Sequence, residues 1–347
     1  MKHLIDKLNH THSLSKEEWT SVIGQPSPLT VEYAKSLARE LRKLHYGNTI
    51  YIRGLIEITN YCKNDCFYCG IRRSNTNINR YRLSIADILN CCADGYELGF
   101  RTFVLQGGED GHFKLSDLVE IVSSIHNKYP DCAITLSLGE RSYADYKELY
   151  DAGANRYLLR HETYDDKHYA LLHPCELLAA ARQECLWSLK EIGYQVGTGF
   201  MVGSPHQNVE HLAEDMLFLQ KLNPHMVGIG PFITHNDTPF AKYPSGSLDF
   251  TLYMLSLIRI LSPKVLLPAT TALSSLDKEG QKKGIFAGAN VIMPNLSPLN
   301  HRKDYALYNN KAFTNQDAAE SLAKLKTNME NIGYQIVTTR GDSLISH

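Results

Sequence analysis

Three cysteines, Cys62, Cys66 and Cys69, fall within one short stretch with the spacing C-x3-C-x2-C, and an aromatic residue, Tyr68, precedes the last thiol. Thiolates this close can ligate three irons of a 4Fe-4S cube and leave the fourth iron without a protein ligand. A cube held by four cysteines is complete and serves electron transfer, whereas one held by three keeps a coordination position open. Structural zinc needs a fourth ligand, usually from a second cysteine pair, and no second pair follows. A disulfide framework suits small secreted chains. This chain has 347 residues, and its first residues lack the apolar run of a secretory signal. The motif therefore points to an iron–sulfur centre.

At 43% hydrophobic residues the chain can bury a large core, as one big domain or two ordinary ones. Its formal charge of -1 offers no basic surface for nucleic acid. No stretch reaches the roughly 18 apolar residues of a membrane span. The remaining cysteines, Cys91, Cys92, Cys132, Cys175 and Cys185, lie in apolar or helical contexts and are expected to be buried free thiols. A reducing cytoplasm is the expected compartment.

Residues 13–46 read as helices, with Ser15-x-x-Glu18 in the form of a capping box and Gly47-Asn48 as the stop. From there a short apolar run alternates with an amphipathic helical segment. The runs are Ile50–Ile58, Thr102–Leu105, Ala133–Leu138, Tyr157–Leu159, Gln195–Val196, Met226–Ile229, Val265–Leu267 and Val291–Met293. The helical segments between them are Ser84–Leu98, Leu115–Lys128, Ala144–Ala152, Glu176–Ile192, Val209–Leu222, Phe250–Leu261 and Ser274–Phe286. Eight such alternations predict parallel strands with right-handed crossovers, closed as a (β/α)8 TIM-type barrel. The predicted organisation is an N-terminal helical extension (1–47), the barrel (48–310) and a C-terminal helix and tail (311–347). The helix, Gln316–Ile332, is expected to close the barrel's other side. Nearly every run ends in glycine or polar residues, as in Gln106-Gly107-Gly108-Glu109-Asp110 and Pro268-Ala269-Thr270-Thr271. In a barrel those ends meet at one mouth, where active sites lie.

With these clusters in view, the chain resembles the radical-SAM superfamily and, within it, the HydE-type maturases of FeFe-hydrogenase. The segments that carry the resemblance run from YIRGLIEITNYCKNDCFYCGIRRSN through VLQGGED, TLSLGE, RYLLRHET, GFMVGSP, MVGIGPFITHNDTP and PATTA to GANVIMPN. The cysteine motif gives only the superfamily; RYLLRHET, GIGPFI and PATTA narrow it. Biotin synthase and methylornithine synthase are the nearest competitors. The resemblance implies one 4Fe-4S cluster on Cys62, Cys66 and Cys69, with S-adenosyl-L-methionine (SAM) bound at the open iron. The cluster would cleave SAM reductively to a 5'-deoxyadenosyl radical. Some HydE proteins carry further cysteines near the C-terminus for a second cluster, but here no cysteine follows Cys185.

The resemblance also implies roles for single residues. Tyr68 would lie near the adenine, and Gly107, Gly108 and Glu109 would match the motif whose backbone binds the SAM amino group. Arg160 and Glu162 alternate with His161 and so project to one side; the matching residues contact SAM, the glutamate through the ribose hydroxyls. Arg182 matches an arginine that pairs with the methionine carboxylate. Thr135, Thr270 and Thr271 match positions that bind small anions deep in the barrel, and Met226, Met293 and Tyr305 match the substrate chamber. Each has a plainer reading, as core packing, a strand threonine or a structural Arg–Glu pair.

The implied role is action on a cysteine-bound Fe(CO)2CN precursor during H-cluster assembly, with other hydrogenase maturases and an electron donor as partners. Two other readings stand beside it. One is a radical-SAM enzyme like methylornithine or biotin synthase, acting on a small amino acid or carboxylate. The other is a non-catalytic iron–sulfur carrier or scaffold. Reconstitution tests the cluster reading directly. Anaerobic loading is expected to give about four irons per chain, lost when Cys62, Cys66 and Cys69 are all changed to Ala; about eight irons would contradict it.

Overall fold

A computed structural model describes residues 1–312 and 317–346. It opens with three helices, α1 (Lys2–Thr11), α2 (Lys16–Gly24) and α3 (Pro28–Tyr46). The Ser15/Glu18 capping box forms at the start of α2, and Gly47, at φ +56°, ends α3. The first strand run is split at Arg53 into β1 (Thr49–Ile52) and β2 (Gly54–Thr59). There follow α4 (Ile85–Glu97), β3 (Thr102–Gly107), α5 (Leu115–Lys128), β4 (Ala133–Ser137), α6 (Tyr143–Asp151), β5 (Arg156–Leu158), α7 (Asp166–Leu172) and α8 (Ala179–Ile192). Next come β6 (Gln195–Thr198), β7 (Met201–Val202), α9 (Val209–Leu222), β8 (Met226–Val227), β9 (Gly230–Pro231), α10 (Leu248–Leu261), α11 (Thr271–Leu276) and α12 (Gly280–Phe286). The chain ends with β10 (Val291–Ile292), α13 (Leu299–Arg302), α14 (Ala318–Glu330) and β11 (Gln335–Val337).

All the ladder pairings are parallel. One sheet runs β2-β3-β4-β5-β6-β8. Single parallel bridges continue it, Met226 to Leu266 and Pro268 to Val291, and β10 pairs with β1 to bring the ring back to its start. The expected α/β barrel is thus present, and its seventh strand, Val265–Leu267, takes part through isolated bridges alone.

Register decides what the barrel holds. Leu55, Val104, Thr135 and Arg156 stand side by side across β2 to β5, as do Glu57, Gln106 and Ser137 one layer further on. Successive strand side chains point to opposite faces. The intervening Ile56, Ile58, Phe103, Leu105, Ile134 and Leu136 therefore pack outward, in one cluster with Ile88, Leu118 and Ile121 of the helix layer.

The N-terminal helices have no core of their own. Helix α10 is buried along its whole length from Thr251 to Leu261 because it lies between the barrel and α1 and α3. A helix covered on both sides needs no polar stripe. Trp19 is fully buried in this cluster, and its indole N–H donates to Gln220.

Three expectations are corrected. Cys175 is exposed and Cys185 half-buried, so burial holds for Cys91, Cys92 and Cys132 only. The segment Ser274–Phe286 is two short helices, α11 and α12. The tail is more than a helix: after α14, β11 pairs in parallel with β1, and the following turn caps the barrel's base. The expected helix start, Gln316, lies outside the described residues. In the cap Arg156, fully buried, donates to Asp342 at 2.7 Å and to the Arg340 carbonyl at 2.8 Å, and the Thr102 hydroxyl donates to the same carbonyl. Among the described residues no helix is long and apolar enough to cross a membrane.

The cap carries a pH signature. Partial burial works against the Asp342 charge, but Arg156 and Arg340 outweigh it and hold the carboxyl down to about 2. A depressed folded value gives stability that is complete above the ordinary carboxylate range and lost as pH falls towards 2. Asp342→Asn is expected to lower the melting temperature at pH 7 and to narrow its gap to the parent protein as pH falls from about 4 towards 2. An equal melting temperature at pH 7 would contradict the cap's role.

Candidate active site

A cavity of about 340 Å³ opens at the C-terminal ends of the strands, within the range of small-molecule sites. Cys62, Cys66, Tyr68 and Cys69 line it from the loop after β2. Gly107, Gly108 and Glu109 line it from the end of β3, Arg160 and Glu162 from beyond β5, and Arg182 from α8. Thr270, Thr271, Met293 and Tyr305 complete the opposite side. The structure thus brings together fourteen of the sixteen residues singled out from sequence. The other two do not line the cavity. Thr135, buried with no hydrogen-bond partner for its hydroxyl among the described residues, stands level with Leu55 in the barrel interior. Met226 packs deeper, its sulfur 2.8 Å from the Arg53 guanidinium.

The cysteine loop is fixed from several directions. Lys63 N–H donates to the Glu109 carbonyl at 2.8 Å, Phe67 N–H to Leu172, and Gly70 N–H to Leu307. Asp65 accepts from Arg72 Nε at 2.7 Å and from Ser74. Two glycines permit the approach of the β3 end to this loop. A side chain on Gly108 would meet the Tyr61 carbonyl oxygen at 2.1 Å. Gly139, at φ +77°, lets the Glu109 side chain pass where a Cβ would lie 2.0 Å from its Cγ.

Burial pushes all three thiols up, Cys69 to about 12. A thiolate ligand there needs the charge of a metal beside it. No three ligands converge on a point fit for one ion among the described residues; a cube distributes its three sulfurs over separate irons.

Arg160 Nη2 and Glu162 Oε2 lie 3.1 Å apart, yet neither atom has an aligned hydrogen bond among the described residues, nor has Arg160 Nε. Glu162 holds a left-handed backbone, φ +66°, with its N–H on the Gly199 carbonyl and its own carbonyl accepting from Met201. Such a conformation persists only where the surroundings enforce it. Arg182 donates from Nε to Glu140 at 2.5 Å and from Nη1 to the Arg160 carbonyl at 3.2 Å, and Nη2 reaches Glu109 at 3.3 Å. Tyr68 is oriented by His173. The His173 Nδ1 faces the Tyr169 carbonyl at 2.9 Å and so carries the proton, leaving Nε2 to accept from the Tyr68 hydroxyl at 3.1 Å. Burial lowers His173 to about 3 and keeps it neutral.

The radical SAM superfamily pattern matches residues 56–219. The [FeFe] hydrogenase maturase subunit HydE of Thermotoga maritima is 43% identical over 275 residues, 79% of this chain and 78% of that protein. The chain belongs to the radical SAM superfamily, in its HydE group. A 3-methylornithine synthase of Methanosarcina acetivorans is 28% identical over 86% of this chain and 85% of the relative. Among solved structures, methylornithine synthase (PylB) superposes with a TM-score of 0.81 at 24% identity, covering 96% of this chain and 97% of that one. HydG, a maturase of the [FeFe]-hydrogenase, superposes at 0.82 and 19% identity, covering 97% and 75%. These two likenesses concern the fold.

As a radical SAM enzyme of the HydE group, the protein uses a 4Fe-4S cluster and SAM. The cavity fits both. Three thiols face it, and the half-satisfied Arg160–Glu162 pair offers a carboxylate and guanidinium N–H groups to a zwitterionic cofactor with a ribose diol.

Sequence reading missed Arg53, Glu57, Tyr308 and Lys311, of which all but Arg53 line the cavity. For Arg53 and Glu57 a signal existed: charged residues inside the apolar run Ile50–Ile58, spaced two apart from Leu55. Arg53 is buried, with Nε and Nη2 unpartnered among the described residues. Glu162→Ala is expected to weaken SAM binding roughly 5- to 150-fold, the equivalent of about 1–3 kcal/mol for an unpaired polar ligand group. Titration of SAM into the reconstituted protein reads it, and an unchanged affinity in a folded variant would remove Glu162 from the cofactor site.

Proposed function

We propose that this protein is a maturase of FeFe-hydrogenase that acts on a cysteine-bound Fe(CO)2CN precursor during H-cluster assembly. The observation that carries this reading is the 43% identity to HydE over 79% of the chain. In the reading, Cys62, Cys66 and Cys69 hold the cluster. Glu162 takes the SAM ribose, Arg160 and Arg182 its charged methionine end, and Tyr68 lies against the adenine. Cluster and SAM, when bound, would supply the 5'-deoxyadenosyl radical for chemistry at the cysteine sulfur of the precursor.

The chain's own residues confine that chemistry. The strand ends and the cysteine loop wall the cavity, which limits access of water to the reacting groups. Thr270 and Thr271 stand across it from the cysteines and can donate hydroxyl hydrogens to the anionic precursor. Thr270 now spends its hydroxyl on the Ile229 carbonyl at 3.3 Å, a long contact that a better acceptor can replace. The precursor comes from a partner maturase and the electron from a separate donor protein.

The double change Thr270→Val/Thr271→Val keeps side-chain size and removes both hydroxyls. It is expected to leave SAM affinity unchanged and to reduce hydrogenase activation in an in vitro maturation mixture about ten-fold or more, since buried anions depend on such donors. Full activation with the double variant would place the precursor elsewhere in the barrel.

A further inference from the structure

Six charged residues line the cavity: Glu57, Glu109, Arg160, Glu162, Arg182 and Lys311. They form three ion pairs. Two of these, Arg160 with Glu162 and Arg182 with Glu109, belong to the proposed SAM side. The third, Lys311 with Glu57, has no role in the account so far.

This pair is built with care. Glu57 is fully buried on β2, an interior position. One carboxylate oxygen accepts from Lys311 and the other from Asn295 Nδ2 at 2.8 Å. Its backbone N–H donates to Ser297 Oγ at 2.8 Å, and its carbonyl accepts from the Tyr81 hydroxyl at 2.9 Å. Lys311 arrives on the segment 304–311, which crosses the barrel mouth. Asn60 Nδ2 donates to the Asp304 carbonyl at 2.7 Å, Gly70 N–H to Leu307, and Asn309 N–H to Thr234. The same segment brings Tyr305, Leu307 and Tyr308 to the cavity wall.

An ammonium carries three donors. Lys311 spends one on Glu57 and one on the Tyr305 carbonyl, at 2.8 Å. Among the described residues the third has no hydrogen-bond acceptor, and the ammonium lies 4.7 Å from the centroid of the Tyr305 ring on the cavity wall. An ion pair this buried costs desolvation that its own attraction barely offsets, so a tie for the segment alone is better made by apolar contacts. A cation with one spare donor, held rigidly at the substrate end, is suited to a carboxylate.

We propose that Lys311, positioned by Glu57, binds the carboxylate of an amino-acid-bearing substrate in this cavity. It is a specificity residue, deciding between an amino acid and its decarboxylated amine. The proposal rests on the maturase reading only in naming cysteine as the amino acid.

The probe is S-methyl-L-cysteine, whose blocked sulfur cannot act as a thiolate ligand, against 2-(methylthio)ethylamine, which lacks the carboxylate. Binding of each is measured on the holoenzyme with SAM present and the cluster oxidised, so that no turnover occurs. The parent protein is expected to prefer the amino acid roughly ten-fold or more. Lys311→Gln, which keeps donors but no charge, is expected to lose the preference while SAM affinity stays; Lys311→Arg is expected to keep it. A preference unchanged in Lys311→Gln overturns the proposal. Joint loss of SAM affinity and preference in Lys311→Gln also overturns it, because that marks a structural tie. A parent protein that shows the Lys311-dependent preference yet fails to support hydrogenase maturation would sink the maturase reading and leave the carboxylate contact standing.

Discussion

The parallel ring of strands is the constraint on which the rest depends. Because every strand runs the same way, every C-terminal end reaches the same mouth, and residues as distant as Cys62 and Lys311 share one cavity. Short strands suffice for this. Several ladders, at β8 and β10 for instance, are two residues long, and the seventh strand pairs through single bridges. What secures them is the outer layer. Outward-facing Ile, Leu and Phe side chains pack under the helices, and α10 is clamped beneath α1 and α3.

The interior follows a different rule from the exterior. Outside, the alternation of strand side chains gives an apolar contact surface; inside, the same alternation stacks Arg156, Thr135, Glu57 and Gln106 in layers. At the base the C-terminal turn neutralises Arg156 through Asp342. At the mouth acids and bases alternate as three ion pairs. Charges buried in this way are costly, and their retention is best understood as provision for ligands that carry both signs. The strained backbone at Glu162 and the glycines at 108 and 139 belong to the same provision, since each brings a polar group closer than ordinary packing allows.

Much of this was written plainly in the chain. Eight apolar runs, nearly all ending in glycine or polar residues, placed the strand ends, and the cysteine spacing named the chemistry. Cys62, Cys66 and Cys69 were legible by their spacing, and Arg160, Glu162 and Thr270 because they follow apolar runs whose ends line the cavity. Lys311 was not, because it lies in a segment without periodicity, and its place depends on tertiary ties to Asn60, Gly70 and Thr234. The β11 strand was hidden for a related reason: one exposed and two half-buried residues form a strand only because β1 offers a free edge. Cys175 misled in the other direction, since the apolar neighbourhood Leu171–Leu178 buries Leu172 and His173 but leaves Cys175 on an exposed turn.

The central claim is that three cysteines leave one iron open to SAM within this cavity. Electron–nuclear double resonance on the reduced, reconstituted cluster tests it most directly, using SAM labelled with nitrogen-15 in its amino group and oxygen-17 in its carboxylate. The account predicts hyperfine coupling of both labels to the cluster, with a change in the cluster's own signal when SAM is added. A cluster whose signal is unmoved by saturating SAM, with neither label coupled, would contradict it.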